Sequence, residues 1–190
     1  MSHLLRRSNA SWDFVGAKTA MPIPLTSSLR RDLLVMASLD PSVCRIGFAE
    51  RPLDLLVFDF VFGRCVILEP AVRLDEIHLA ERTATRLGLP THTFTDEEIT
   101  ADPLAANCRQ VWSFRHHRVS ASDRIRVLGL LGEESGACSL GRLATEIRSG
   151  TDPVAAVLAM LCADLLEADL SAGPLDPETR IRRRNRGDAP

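Results

Sequence analysis

Two apolar segments joined by a short turn constrain the fold of this 190-residue chain more than any other feature. The run from Leu53 to Phe62 is almost wholly apolar, and so is the run from Cys65 to Leu68. Continuous apolar runs of this length are typical of strands buried on both faces, and Gly63 can supply the turn between them. The sequence therefore predicts a β-hairpin inside the core.

An acidic residue lies near each end of this predicted hairpin. If Phe62-Gly63 is a two-residue loop, counting outward along the strands gives the pairs Leu56–Glu69 and Asp54–Ala71. Because side chains alternate between the faces of a sheet, Asp54 and Glu69 then share one face as diagonal neighbours, about 7–8 Å apart. Two carboxylates at this spacing can share a metal ion or a water molecule.

The composition is that of an ordinary globular protein, with 45% hydrophobic and 25% charged residues. A chain of this length has room for one domain or two small ones. The formal net charge of -2 provides no general field that attracts nucleic acid or anionic lipid. Any contact with a polyanion must therefore come from a local patch of positive charge.

Cysteine usage and hydropathy predict a cytoplasmic protein. The five cysteines include no Cys-x-x-Cys pair, which is typical of reduced thiols. The N-terminal residues have no apolar core of signal-peptide length, and no segment approaches the roughly 20 consecutive apolar residues that a membrane helix needs. We therefore expect no membrane partner.

The chain contains a single lysine, Lys18, within the predicted N-terminal lead-in. All other side chains that are always positively charged are arginines. The planar guanidinium of arginine poorly replaces the compact, movable charge that a catalytic lysine brings to an attacking water or a scissile phosphate. Hydrolytic chemistry that needs such a lysine is therefore disfavoured.

Four segments are predicted along the chain. Residues 1–25 form an irregular lead-in, and residues 26–105 form an α/β unit in the order helix, three strands, helix, strand. Residues 106–181 form three helices followed by a hairpin, which is the order of a winged helix-turn-helix. Residues 182–190 form a basic disordered tail.

Capping residues and helix breakers define the predicted helix ends. The first helix begins after Thr26 or Ser27 and ends near Asp40, and the second covers Leu74–Leu87 and is ended by Gly88. N-cap candidates for the later helices are Thr95, Ser122 or Asp123, Ser139 and Asp152.

The last predicted helix, Pro153 to Leu166, is the candidate recognition helix of the second unit. It is mostly apolar and carries no arginine, whereas a helix that contacts base edges normally presents Arg, Lys, Asn or Gln. A role in the core or in protein docking is therefore favoured over base recognition.

A cluster of arginines near the C-terminus is the predicted DNA-binding patch: Arg180, Arg182, Arg183, Arg184 and Arg186. Such a cluster can neutralise phosphates and give salt-sensitive, sequence-independent affinity. The alternative is a solubilising tail without a ligand.

Several short motifs, in order, resemble the TnsA-like endonuclease subunits of heteromeric transposases. They are Ser28-Leu29-Arg30-Arg31-Asp32-Leu33-Leu34, Leu39-Asp40-Pro41-Ser42-Val43, Glu50-Arg51-Pro52-Leu53, the hairpin, Thr95-Asp96-Glu97-Glu98-Ile99, Asn107 and Pro174-Leu175 with Thr179. The resemblance covers Ser27 to Ile181. It implies an α/β fold with a restriction-endonuclease-like core, in which helices flank a small mixed sheet, and an α+β winged-helix-like C-terminal domain that contacts a partner or DNA.

The family pattern has a glutamate in the first helix, an aspartate opening the hairpin and a Glu-x-Lys on its second strand. Asp54 and Glu69 match two of these positions, which makes them the remnant catalytic and Mg²⁺-binding residues that the resemblance implies. The helix glutamate falls near Arg30 or Arg31, and the lysine falls at Ala71. Replacing an anion by a cation changes the local charge by two units and opposes metal binding. We therefore expect no cofactor, or Mg²⁺ only if the site persists.

Simpler roles for the two acids remain open. Asp54 is equally consistent with a surface carboxylate at the start of a strand. Glu69 is also consistent with a salt bridge to Arg73 or Arg51, and Asp59, on the other face of the sheet, with a paired structural acid.

These features leave three alternative hypotheses for the function. The first is a catalytically degenerate TnsA-like accessory protein that binds a transposase- or integrase-type subunit and the DNA backbone. The second is an active Mg²⁺-dependent endonuclease subunit that cuts at transposon ends, which requires Asp54, Glu69 and a third acid, Asp32 or Asp59, to converge. The third is a winged-helix DNA-binding regulator.

Overall fold

The computed structural model describes residues 13–49, 54–69, 74–134, 136–150 and 152–185, with only the backbone for residues 74–76. The described chain is mixed α/β, with a small four-stranded mixed sheet, another sheet of three strands, and flanking helices. The α/β class predicted from the sequence is confirmed. No helix in these ranges is long and apolar enough to cross a membrane.

The lead-in is more ordered than predicted. Strands β1 (Asp13–Phe14) and β2 (Ile23–Pro24) pair in antiparallel fashion. The Phe14 ring stacks on Trp112 with 5.0 Å between ring centroids, and Ile23 is fully buried. The prediction of an irregular lead-in is wrong for these residues because their apolar side chains belong to the core; residues 1–12 lie outside the described ranges.

Helix α1 (Ser28–Leu39) begins and ends where its capping pattern predicts. The Ser27 hydroxyl accepts a hydrogen bond from the backbone N–H of Arg30 at 2.9 Å, and the helix ends before Asp40. Helix α2 (Leu74–Leu87) also has its predicted bounds and is followed by Gly88 at φ +65°.

The first sheet has the order β3-β4-β5-β6. Its strands are β3 (Val43–Ala49), β4 (Leu55–Phe60), β5 (Gly63–Leu68) and β6 (Thr91–Thr93). The first three are antiparallel, and β6 is parallel to β5 after the crossover through α2. The predicted order of helix, three strands, helix and strand is confirmed.

The register of the central hairpin differs from the prediction by two residues. The turn is Val61-Phe62, because Gly63 already pairs with Phe60 as the first residue of β5. The backbone N–H of Val61 donates to the Ser42 carbonyl at 2.8 Å, which anchors the turn outside the β4–β5 ladder. Extending the pairing beyond Leu56–Ile67 places Asp54 directly opposite Glu69, not diagonally across from it.

A shift of two residues preserves which face each side chain occupies. One face of the hairpin packs into the main core below α1 through Leu56, Phe58, Phe60, Cys65 and Ile67. The other face packs against Ala80 and Ala84 of α2 through Leu55, Val66 and Leu68. Burial on both faces is confirmed, and Asp54 and Glu69 both lie on the α1 side by alternation along the strands.

The remainder of the described chain contains more regular structure than predicted. Its elements are α3 (Asp96–Thr100), α4 (Leu104–Ser113), α5 (Ala121–Glu133), β7 (Ala137–Ser139), α6 (Leu140–Ala144), α7 (Pro153–Cys162), β8 (Leu166–Ala168) and β9 (Arg180–Arg183). The second sheet has the order β7-β9-β8, with antiparallel pairs.

Helix α4 and strand β7 were not predicted from the sequence. Helix α4 was detectable, because Ala105, Cys108, Val111 and Trp112 recur at helical spacing and are all buried. The cap of α5 is Ser120, not Ser122 or Asp123. Helix α7 ends four residues earlier than predicted, where Asp164 turns the chain at φ +56° toward β8.

Helix α4 connects the two predicted units, because it packs against both α1 and α7. Every residue of α7 from Ala155 to Cys162 is buried, which confirms the expectation that this helix belongs to the core. The main apolar cluster is continuous from Phe14 to Ile181. The division into units 26–105 and 106–181 remains a prediction.

Candidate functional site

A buried arginine joins the two acidic residues that the sequence singled out. Arg30 lies in the first turn of α1, Asp54 immediately before β4 and Glu69 immediately after β5. The Arg30 side chain is only 4% exposed, Glu69 is 10% exposed and Asp54 is 46% exposed. Arg30, one of the two positions near which the resemblance implies a helix glutamate, thus brings a cation to both carboxylates.

The Arg30 guanidinium donates to five oxygen atoms. Its Nε lies 2.9 Å from Glu69 Oε1 and 2.7 Å from Oε2, and Nη2 lies 2.5 Å from Oε1. Nη1 donates to Asp54 Oδ1 at 3.1 Å and to the Pro24 carbonyl at 3.2 Å, and Nη2 lies 3.5 Å from the Asp54 carbonyl. The Phe48 ring centre is 5.9 Å from the guanidinium carbon, within the range of a cation–π contact.

The surrounding anions keep Arg30 charged despite its burial. Burial by itself lowers the pKa of Arg30, but the hydrogen bonds and charge of Glu69, followed by the charge of Asp54, outweigh that effect and raise the pKa above its ordinary value. Glu69 is the more deeply buried acid and makes the two-pronged contact. The Asp54 carboxylate is half-exposed, so solvent screens and weakens its interaction with Arg30.

Asp54 adopts a backbone conformation that non-glycine residues rarely use, with φ +46°. The left-handed region costs such a residue about 1 kcal/mol or more, although aspartate tolerates it better than most. In this conformation both the carboxylate and the backbone carbonyl of Asp54 lie near the Arg30 guanidinium. The ion pair therefore accompanies a locally strained backbone at the start of β4.

The donor set around Arg30 does not fit the Mg²⁺ ion that the resemblance implies. Mg²⁺ requires oxygen ligands at about 2.0–2.1 Å in octahedral geometry, whereas both carboxylate oxygens of Glu69 are bonded to Arg30 and a fixed positive charge lies between the two acids. In the described ranges, no group of three or more His, Cys, Asp or Glu side chains is placed to hold a metal ion.

The other candidate acids do not join this site. Asp59 is paired with Arg64 at 3.0 Å between Oδ2 and Nη2, near the hairpin turn. Asp32 is paired with Arg31 at 3.0 Å and with Arg109 at 3.6 Å. The predicted pairing of Asp59 is thus confirmed, and Glu69 has Arg30 as its ion-pair partner. Its alternative partners Arg51 and Arg73, together with Ala71, lie outside the described residues.

The single lysine is also far from the acid pair along α1. Lys18 is buried at the C-terminal end of this helix, where its Nζ lies 2.6 Å from the Asp40 carbonyl and 3.6 Å from Asp164 Oδ1. A cation at this end of a helix stabilises carbonyl groups that have no partner within the helix. The expectation that Lys18 lies in an irregular lead-in is wrong, because its side chain is enclosed by α1 and the turn after α7.

The burial of Lys18 predicts an unusual dependence of stability on pH. Burial lowers the pKa of Lys18 to about 8, against the opposing effect of the Asp164 charge, from an ordinary value of 10.5. Between these two values the unfolded chain binds the proton and the folded chain does not, so stability rises with pH. The unfolding free energy of the wild type, relative to Lys18→Met, should increase by about 1 kcal/mol from pH 7.5 to pH 9.

Urea denaturation of both proteins at each pH measures this difference. Cysteine titration is common to the two proteins and largely cancels in the comparison. A difference that stays constant or decreases over this range would contradict the assignment of Lys18 as a buried, readily deprotonated amine.

The C-terminal arginines separate into two groups. Arg180, Arg182 and Arg183 are exposed on β9, as a phosphate-binding role requires. The Arg184 side chain is only 6% exposed and pairs with Asp164 at 3.2 Å and Glu167 at 3.3 Å. Arg184 is therefore engaged within the fold and does not match the predicted phosphate contact; Arg186 lies outside the described ranges.

Acidic neighbours reduce the positive potential around Arg180 and Arg182. Both line a groove of about 720 Å³ between α1, α4 and the second sheet. The other charged residues of this groove are all acids: Asp40, Glu98, Glu167 and Asp169. The local field is therefore less positive than the number of arginines suggests.

The charge reversal on α1 was predicted from the sequence, but the contact of Arg30 with both acids was not. The Arg30-Arg31 pair left open which side chain faces the acids, and the observed α1 buries Arg30 and exposes Arg31. The signal was the spacing of Arg30 from the buried Leu33 and Leu34, which places it on the apolar face. No protein-family model matches this chain, and a search of curated proteins also finds no match.

Proposed function

We propose that this chain is a catalytically degenerate TnsA-like accessory protein, which binds a transposase- or integrase-type partner and contacts the DNA backbone without cutting it. The observation that carries the proposal is the guanidinium of Arg30 between Asp54 and Glu69. The resemblance places a metal-binding acid set at this end of the hairpin. This chain holds the two remaining acids together with an internal cation.

The chemistry of arginine explains why such a site is inactive. Metal-dependent hydrolysis relies on a divalent ion to lower the pKa of a bound water and to stabilise the developing charge on phosphate. A guanidinium offers neither an open coordination position nor an activated water, and its donors at this site are already used by five oxygen atoms. The remaining role of Asp54 and Glu69 is to bind Arg30 and hold α1 against the hairpin.

The order of elements supports a winged-helix-like C-terminal part. Helix α5, strand β7, helices α6 and α7, and strands β8 and β9 follow one another, and the three strands form one antiparallel sheet. This order resembles that of a winged helix. Helix α7 is buried from Ala155 to Cys162, and its exposed first residues, Pro153 and Val154, are apolar. It therefore presents no polar side chain to base edges, so contact with DNA would come from the exposed arginines of β9 and be independent of sequence.

The two alternatives lack an observation in their favour. An active nuclease with displaced ligands needs a third acid beside Asp54 and Glu69, but Asp32 and Asp59 have arginine partners elsewhere. A winged-helix regulator that reads a DNA sequence needs polar side chains on an exposed recognition helix, which α7 does not provide.

Nicking of supercoiled plasmid with Mg²⁺ or Mn²⁺ tests the proposal. The wild type should give no more nicked product than Asp54→Ala or Glu69→Ala, because the site activates no water. A known metal-dependent nuclease in the same buffer provides the positive control. Metal-dependent nicking by the wild type that disappears in both variants would refute the degenerate site.

A further inference from the structure

The turn of the β4–β5 hairpin presents an exposed aromatic ring. Val61 is 68% exposed and Phe62 is 71% exposed. The Phe62 ring stacks on the buried Phe60, with 4.8 Å between ring centroids and 14° between planes. Because Phe60 covers one side of the ring and the Ser42 carbonyl anchors the turn, Phe62 is held in place with its outer side open to solvent.

A cleft of about 970 Å³ lies beside this turn. The hairpin turn, the start of β3, and residues 17–20 and 184–185 line it. Its charged residues are four cations and two anions: Lys18, Arg45, Arg64, Arg184, Asp59 and Asp164. Their sum is +2, in a chain whose formal net charge is -2, so this cleft is a local site of positive charge.

Two of these cations remain accessible to a ligand. Arg45 is exposed. Arg64 forms a two-pronged pair with Asp59 but is still 55% exposed. Lys18 and Arg184 are buried and bonded within the fold, so they contribute charge to the cleft and not direct contacts.

We propose that this cleft binds an unpaired DNA strand, with one base stacked on the open side of Phe62 and adjacent phosphates on Arg45 and Arg64. Aromatic side chains that stack on bases beside a positively charged groove are the general means by which proteins hold single strands. A base within a duplex is already stacked on both sides, so Phe62 favours an unpaired one. The choice of DNA over RNA rests on the proposed function.

A membrane surface fits these features less well. Insertion into a bilayer interface requires a broad apolar surface that projects from the protein. This turn offers two apolar side chains beside a concave, charged cleft. The cleft volume is also within the range of sites that enclose small organic groups, which suits a base and its sugar.

Fluorescence anisotropy with a labelled oligothymidylate of about 15 nucleotides, about the upper end of a single-strand binding site, measures the interaction. Phe62→Ala should weaken binding about 5- to 150-fold, the range for loss of one stacked base, whereas Phe62→Trp should retain it. Arg45→Ala should weaken binding and reduce the slope of log affinity against log salt by about 0.7. A 2-aminopurine in the strand should be quenched by the wild type and not by Phe62→Ala.

The matched control is Leu87→Ala, which removes another exposed apolar side chain, on α2, and should leave binding unchanged. Equal affinity of Phe62→Ala and wild type would overturn the proposal. Equal loss of affinity for a blunt duplex would also overturn it, as would tighter binding to oligouridylate, or binding to phosphatidylserine vesicles without binding to DNA. Absence of single-strand binding would not bear on the proposed inactive site at Arg30, because nicking is measured separately and depends on other residues.

Discussion

Arg30→Ala is expected to lower the free energy of unfolding by about 3–5 kcal/mol, the cost of removing one partner from a buried ion pair. The variant leaves Glu69, which is only 10% exposed, next to Asp54 without a cation between them. It also removes the donor to the Pro24 carbonyl. Solvent at the half-exposed Asp54 offsets part of the loss, so Glu69 is expected to account for most of it.

Urea denaturation followed by circular dichroism measures this effect. Arg31→Ala is the matched control, because Arg31 is the neighbouring residue of α1, is exposed and pairs with Asp32 at the surface; it should change stability by less than about 1 kcal/mol. A double replacement, Arg30→Met with Glu69→Gln, should recover part of the loss, because no buried charge then lacks a partner. Equal stability of Arg30→Ala and Arg31→Ala would contradict a bridging role for Arg30.

The sequence predicted the elements around this site and the face on which its residues lie. Period-two alternation places Asp54 and Glu69 on one side of the sheet in any register that differs by an even number of residues. The register itself depends on the hydrogen bond between Val61 and Ser42, which joins the turn to a residue before β3. No local pattern encodes that contact, so the predicted loop was displaced by one residue and the predicted strand register by two.

Which arginines are buried and which are exposed could not be predicted from a sequence pattern either. Arg183 and Arg184 are adjacent and chemically identical, and both belong to one basic cluster in the sequence. Burial of Arg184 depends on Asp164 and Glu167, and on the carbonyls of Pro41 and Val43 more than 140 residues earlier. Because a charge cluster reports composition and not contacts, it cannot separate a surface cation from a buried one.

Arg184→Ala is expected to destabilise the protein by about 3 kcal/mol, the lower end of the range for breaking a buried pair, because Lys18 remains beside Asp164. The loss has two sources. Asp164 and Glu167 lose a charged partner, and the second sheet loses its hydrogen bonds to the Pro41 and Val43 carbonyls next to β3. Urea denaturation of the variant and the wild type measures the difference.

Arg183→Ala is the matched variant for the neighbouring, exposed side chain. It should change stability by less than about 0.5 kcal/mol, as substitutions at exposed positions usually do, while reducing the slope of log affinity against log salt for duplex DNA by about 1. Arg184→Ala, measured below its unfolding transition, should leave that slope unchanged because its guanidinium contacts only protein oxygens. The opposite result, in which Arg184→Ala is as stable as the wild type and has a reduced slope, would show that Arg184 contacts DNA. It would contradict the stabilising role of its contacts with Asp164 and Glu167.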